Sequence, residues 1–158
     1  MTGRINLTDA LPPAFRQLQE LRDTAEQAAR DAGLDQKLVE LVQIRASQLN
    51  GCAFCVDKHV RQALEAGEEQ RRLHLLAAWW ETELYTDQER AALLLTEALS
   101  KLSQTQDVSD EVYTEVTAVL SKKQYVAVAW TVSVANTFNR LAVASRKRLP
   151  RLRQEGTP

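Results

Sequence analysis

Between Ala14 and Leu149 the chain contains no proline, and between Glu68 and Glu155 it contains no glycine. Strands joined by tight turns need such punctuation every ~8–12 residues, so this stretch leaves little room for hairpins. It is instead dominated by Ala, Leu, Glu, Gln, Arg and Lys, which enter helices at low cost, and alternating β-branched patterns are scarce. The expected fold class is all-α. A length of 158 residues suits one domain, and 44% hydrophobic residues suffice for a core without disulfide staples. No repeat, low-complexity tract or linker divides the chain, so residues 1–158 read as a single domain with its core at about 35–148.

Start and stop signals place the helices. Pro12 and Pro13 suit the first turn of a helix that ends near Gly33, and Asp35 caps a second running to about Asn50. A third begins at Gly51/Cys52 and ends at Gly67, and a fourth covers Glu68 to about Trp80. Thr86 with Glu89 matches a capping box, Ser109 caps a short helix, and Ser121 with Gln124 opens the longest, Lys122 to about Arg148. The expectation is a compact domain of about six to seven helices. From Tyr125 to Ala135 the last helix is apolar nearly all round, which calls for burial against another subunit or at the centre of the core. Trp79, Trp80 and Trp130 are expected in the core or at a subunit interface, and His74 is given no role.

Charge narrows the partners. Lys and Arg number 20 against 21 Asp and Glu, a net −1 without the basic surplus of a nucleic-acid binder. No apolar run approaches the ~20 residues of a membrane span, and no signal-peptide segment follows Met1. A cytoplasmic protein without nucleic-acid or membrane partners is expected. Arg146, Lys147, Arg148, Arg151 and Arg153 read as a solvated helix end favoured by the helix dipole.

The chemistry concentrates in Arg45-Ala-Ser-Gln-Leu-Asn-Gly-Cys-Ala-Phe-Cys-Val-Asp-Lys-His59, which holds both cysteines of the chain. After an Asn-Gly break, Cys52 and Cys55 fall in the first turn of a helix, where unpaired N–H groups and the dipole favour a thiolate. Their spacing brings the thiols within disulfide reach, and a bridge across so short a loop suits redox cycling better than stapling. His59 follows Cys55 by one turn, so all three side chains fall within a sector of about 60° on one face. A neutral imidazole there takes a thiol proton, and Glu40 on the preceding helix is the candidate third member of a relay. The dipole favours Cys52 as the more acidic thiol, whereas proximity to His59 favours Cys55. Arg45, Ser47, Gln48 and Asn50 read as residues that fix the helix–turn–helix geometry.

Glu40, eleven residues, then Cys52-x-x-Cys55-x-x-x-His59 resembles the signature of the alkylhydroperoxidase AhpD-like family, within the wider carboxymuconolactone decarboxylase superfamily. Ala78-Trp-Trp-Glu-Thr, Tyr85-Thr-Asp-Gln-Glu-Arg-Ala-Ala, Glu97-Ala-Leu and Val134-Ala-Asn-Thr-Phe-Asn-Arg-Leu-Ala142 fit its short, single-domain members. The resemblance spans about residues 4–148. It implies an all-helical homo-oligomer, trimer or hexamer, that reduces hydroperoxides without metal or cofactor. Cys55 is implied as the peroxidatic thiol, Cys52 as the resolving one, and His59 and Glu40 as the proton relay. A dithiol or a thioredoxin- or lipoyl-type protein would restore the thiols, consistent with the lack of nucleotide-binding glycine motifs in the sequence. The best-characterised members carry a further histidine where this chain has Ala53 and Phe54.

Other readings compete with this one. Cys52, Cys55 and His59 supply three zinc ligands, with Glu40 as the available fourth, but the usual second histidine is missing. A lyase like the decarboxylases that name the superfamily is the enzymatic alternative, and the cysteine pair counts against it. A redox-sensing or structural oligomer is the non-enzymatic one.

Overall fold

The computed structural model describes residues 3–150, and every regular element among them is helical. The elements are α1 (Leu7–Ala10), α2 (Pro12–Asp31), α3 (Gln36–Leu49), α4 (Ala53–Glu65), α5 (Gln70–Leu75), a 3₁₀ segment (Leu76–Glu81), α6 (Asp87–Ser100), α7 (Leu102–Thr105), α8 (Asp110–Val119) and α9 (Lys122–Ala144). Local chemistry sets most of their ends. The Asp35 side chain accepts from the Lys37 N–H at the start of α3. Thr86 with Glu89, and Ser121 with Gln124, form reciprocal capping boxes on α6 and α9, and Ser109 caps α8.

Among the described residues nine α-helices replace the expected six to seven. Two of the additions, α1 and α7, are single turns too short to leave a periodic pattern in the sequence. The helix expected over Glu68 to Trp80 is instead α5 followed by the 3₁₀ segment, with a non-helical break at Ala78. Tertiary hydrogen bonds support this break: Arg90 on α6 donates to the carbonyls of Trp79 and Thr82, while the Trp79 indole donates to Glu97. The last helix ends at Ala144 rather than near Arg148, because Arg146 turns left-handed (φ 47°). Lys147 N–H then reaches back to Ala142 O and Arg146 N–H to Val143 O, a Schellman closure.

α3 lies at the centre, every residue from Leu38 to Ser47 being buried. It packs against α4 on one side and against α6 and α9 on others, and α9 also packs along α2. One apolar cluster joins Ala29, Leu38, Val42, Leu95, Val116, Val128 and Val132; a second gathers Leu41, Ile44, Ala63, Leu76, Trp79 and Leu93. The all-round apolar stretch of α9 is thus largely a core helix, although Val126 and Trp130 are exposed. Trp79 is buried and Trp80 about half exposed (48%). No helix among the described residues is long and apolar enough to cross a membrane. Arg151 and Arg153 lie outside the described residues.

Candidate active site

The site begins at the end of α3. Gly51 adopts φ 65°, which a side chain would resist, and lets Cys52 N–H bond back to Ser47 O at 2.9 Å. The chain therefore turns at once into α4, with Cys52 as its N-cap and Cys55 in its first turn. Cys52 Sγ accepts from the Cys55 N–H at 3.3 Å. The two sulfurs are joined as a disulfide across Cα atoms 5.3 Å apart, and both cysteines are buried.

The turn is fastened to α9 by amides. Asn50 donates to Asn136 Oδ1 (2.8 Å) and Asn139 Oδ1 (3.0 Å), and Asn139 donates to Ser47 Oγ (3.0 Å). Arg45 bonds Gln48 and forms a 2.8 Å ion pair with Glu97. These contacts give Arg45, Ser47, Gln48 and Asn50 the bracing positions expected of them; their anchor Glu97, partly buried, carried no such expectation. Burial pushes the Glu97 carboxyl up, but hydrogen bonds from Lys101, Trp79 and Arg45 outweigh it and hold the group below its ordinary range.

One turn after Cys55, His59 Nδ1 lies 2.8 Å from Glu40 Oε2, with both residues more than nine-tenths buried. Glu40 Oε1 accepts from Gln36 Nε2 at 2.7 Å. An ionised carboxylate only accepts, so Nδ1 is the donor and Nε2 of the neutral ring keeps its lone pair. The relay pair predicted across two helices is thus brought together. Of the donors of the zinc alternative, the sulfurs bond each other and Glu40 holds His59 Nδ1 and Gln36, leaving His59 Nε2 alone free among the described residues.

A cavity of about 260 Å³ opens beside this pair, walled by α2, α4 and α9. Phe15, Phe54, Phe138, Ala135 and Ala142 supply its apolar surface, and Cys55, His59, Gln43 and Asn139 its buried polar surface. Cys52 is absent from this lining. It borders a shallow groove with Ser47, Gln48, Gly51, Ala53, Val56, Asp57 and Val60, so each cysteine serves a different opening.

Several lining residues carried no sequence signal of their own. Gln43 sits one turn beyond Glu40 on α3, and its buried Nε2 has no hydrogen-bond partner among the described residues. Arg22 reaches in from α2, Lys58 from α4, and Lys147 from beyond α9. Lys147 is exposed, as expected of a solvated helix end, and its Nζ lies 4.3 Å from the Phe54 ring centroid. Burial, then Arg22, lowers the pKa of the Lys58 amine; Glu26 and Glu40 pull it the other way, and Lys147 adds to the lowering. Arg22 is paired with Asp23, whereas neither Lys58 nor Lys147 forms a salt bridge among the described residues.

Residues 12–98 match the model of the carboxymuconolactone decarboxylase family. An uncharacterised Bacillus subtilis (strain 168) protein, YdfG, is 32% identical over 148 residues, spanning 94% of this chain and 97% of its own length. The fold is similar to the crystal structure of an Agrobacterium tumefaciens protein of unknown function, suggested to be the antioxidant defence protein AhpD. That likeness has a TM-score of 0.84 at 34% identity and covers 96% of this chain and all of the other. The apo debrominase Bmp8 shares the fold alone, with a TM-score of 0.66 at 16% identity over 95% of this chain and 92% of its own.

Proposed function

The chain belongs to the carboxymuconolactone decarboxylase family and is AhpD-like, and from that premise we propose that it is a thiol-dependent alkyl hydroperoxide reductase. The observation that carries this is the cavity that Cys55 and His59 line together, with His59 held by Glu40 and with Cys52 turned to a separate groove.

In the reduced protein His59 takes the Cys55 proton, and the thiolate attacks the terminal oxygen of a hydroperoxide held in the cavity. The S–O bond forms as the O–O bond breaks, and the departing alkoxide takes a proton from the His59–Glu40 pair to leave as an alcohol. Cys55 is then a sulfenic acid. The Cys52 thiol attacks its sulfur, water leaves, and the disulfide forms before further oxidation. A dithiol, free or on a thioredoxin- or lipoyl-type protein, attacks Cys52 from the groove and restores both thiols by exchange, becoming oxidised itself. Such a donor assigns the activity to a reducing compartment, the cytoplasm. The exposed Val126 and Trp130 support assembly as a homo-oligomer, trimer or hexamer.

Stopped-flow mixing of the reduced protein with cumene hydroperoxide tests the proposal. The wild type should form its disulfide much faster than free cysteine reacts. Cys52→Ser should stop at a Cys55 sulfenic acid that dimedone captures, and Cys55→Ser should not react. A wild-type rate no faster than that of free cysteine overturns the assignment.

A further inference from the structure

We infer that the substrate of this cavity is a hydroperoxide bearing a carboxylate, its peroxide end at Cys55 and its anionic end at Lys58 and Lys147. The inference rests on the peroxidase proposal for the reacting end and on the cavity itself for the other.

The lining combines buried polar groups, an apolar surface and cationic side chains. Cys55, His59 and Gln43 are buried members of it. Gln43 Nε2 has no partner among the described residues, and an orphaned buried donor is costly unless a ligand satisfies it. A peroxide oxygen is such an acceptor. Phe15, Phe54 and Phe138 supply the apolar body of the site. The more exposed lining residues include three cations, Arg22, Lys58 and Lys147.

This local surplus is not inherited from composition, since the whole chain carries a net −1. The lining itself holds no carboxylate, and among the described residues the acids around it form no salt bridge with either lysine. Asp23 pairs with Arg22, Glu40 is engaged by His59 and Gln36, and Glu26, which bears on Lys58, forms no salt bridge with it. Lys58 is half-buried beside Arg22 and Lys147, all of one sign, an arrangement that an incoming anion relieves. The volume of about 260 Å³ lies just below the ~300 Å³ at which pockets for drug-sized ligands begin, so the body is small. A neutral hydroperoxide would give neither ammonium an opposite charge. The carboxylate takes no part in bond changes: the O–O bond breaks at Cys55, and the product is the corresponding hydroxy acid.

The test compares cumene hydroperoxide para-carboxylate with its methyl ester, which share the reacting group and differ in charge. For the reduced wild type, kcat/KM for the acid should exceed that for the ester about tenfold, as one charge-assisted hydrogen bond supplies. The ratio should fall toward one with added salt and in the Lys58→Gln, Lys147→Gln double variant. Using the ratio cancels any general effect of these cations on the Cys55 thiolate. A wild-type ratio of one, with both compounds still reduced, overturns the inference and leaves the peroxidase proposal standing. If neither compound reacts, the peroxidase proposal fails, and titration of the oxidised protein with the product acid decides the anion site separately. Binding that the double variant loses supports the site, and no binding overturns it.

Discussion

At the scale of single residues, the arrangement turns on a carboxylate buried at the centre of the molecule. Glu40 is 3% exposed, and its two oxygens are satisfied by His59 and Gln36. A buried charge so well paired fixes the imidazole tautomer and stabilises the imidazolium once a proton arrives. Glu40→Gln keeps the shape and a hydrogen bond but removes the charge. The variant should fold, by circular dichroism, and oxidise Cys55 at least about 10²-fold more slowly, the contribution expected of acid–base catalysis. Its pH–rate profile should shift relative to wild type; an unchanged profile would make Glu40 a packing residue only. Cys52, Cys55 and His59 were legible because their spacing puts them on one helix face, and Glu40 because it completes the family signature on the preceding helix. Gln43, Lys58 and Lys147 were not, since their convergence depends on how α3, α4 and the turn after α9 pack, which no local pattern encodes.

At the scale of elements, helix starts were the most legible feature, because a cap and the N–H it satisfies lie within three residues of each other. Asp35, Thr86, Ser109 and Ser121 all cap the helices assigned to them. Ends set by tertiary contacts were less legible. The break at Ala78 accompanies bonds from Arg90 and to Glu97 on another helix, and α9 closes on a left-handed arginine where glycine is the usual signal. That arginine gives a stability prediction. A left-handed residue with a Cβ costs about 1–2 kcal/mol, and the greater freedom of glycine in the unfolded chain returns about 0.5–1 kcal/mol. Arg146→Gly should therefore raise stability by about 0.5–1 kcal/mol, read as a higher urea midpoint at an unchanged slope. Between elements, Glu97 joins Arg45 of α3, Trp79 of the 3₁₀ segment and Lys101 beyond α6. Its folded pKa lies below the unfolded one, so the stability it lends is present above the ordinary glutamate value of about 4.3 and lost as pH falls through the lower folded value. Urea midpoints measured down this range should fall for the wild type and less steeply for Glu97→Gln.

At the scale of the whole molecule, the all-helical class was legible because missing proline and glycine act over the entire chain, whereas single-turn helices leave no such trace. The same scale separates the disulfide from the forces that hold the fold. The large apolar clusters draw on α2, α3, α6, α8 and α9, with Ala63 from the far half of α4, Leu73 of α5 and Leu76 and Trp79 of the 3₁₀ segment, while Cys52 and Cys55 belong to a small group with Ala142 and Phe54. Their bridge spans a sequence separation of 3, for which chain entropy supplies about 2 kcal/mol, against about 3 kcal/mol for a 15-residue loop. A domain of this size has a total stability of ~5–15 kcal/mol, so its reduction leaves the fold standing. At about 2–4 °C per kcal/mol, reduction should lower Tm by no more than about 8 °C, measured by calorimetry with and without a phosphine reductant. The proposed cycle needs this, because the reduced protein must keep Cys55 beside His59 in a formed cavity before any peroxide arrives. Cooperative unfolding on reduction at room temperature would make the bridge a staple, and a protein that unfolds each time it is reduced has no cavity to offer the next hydroperoxide.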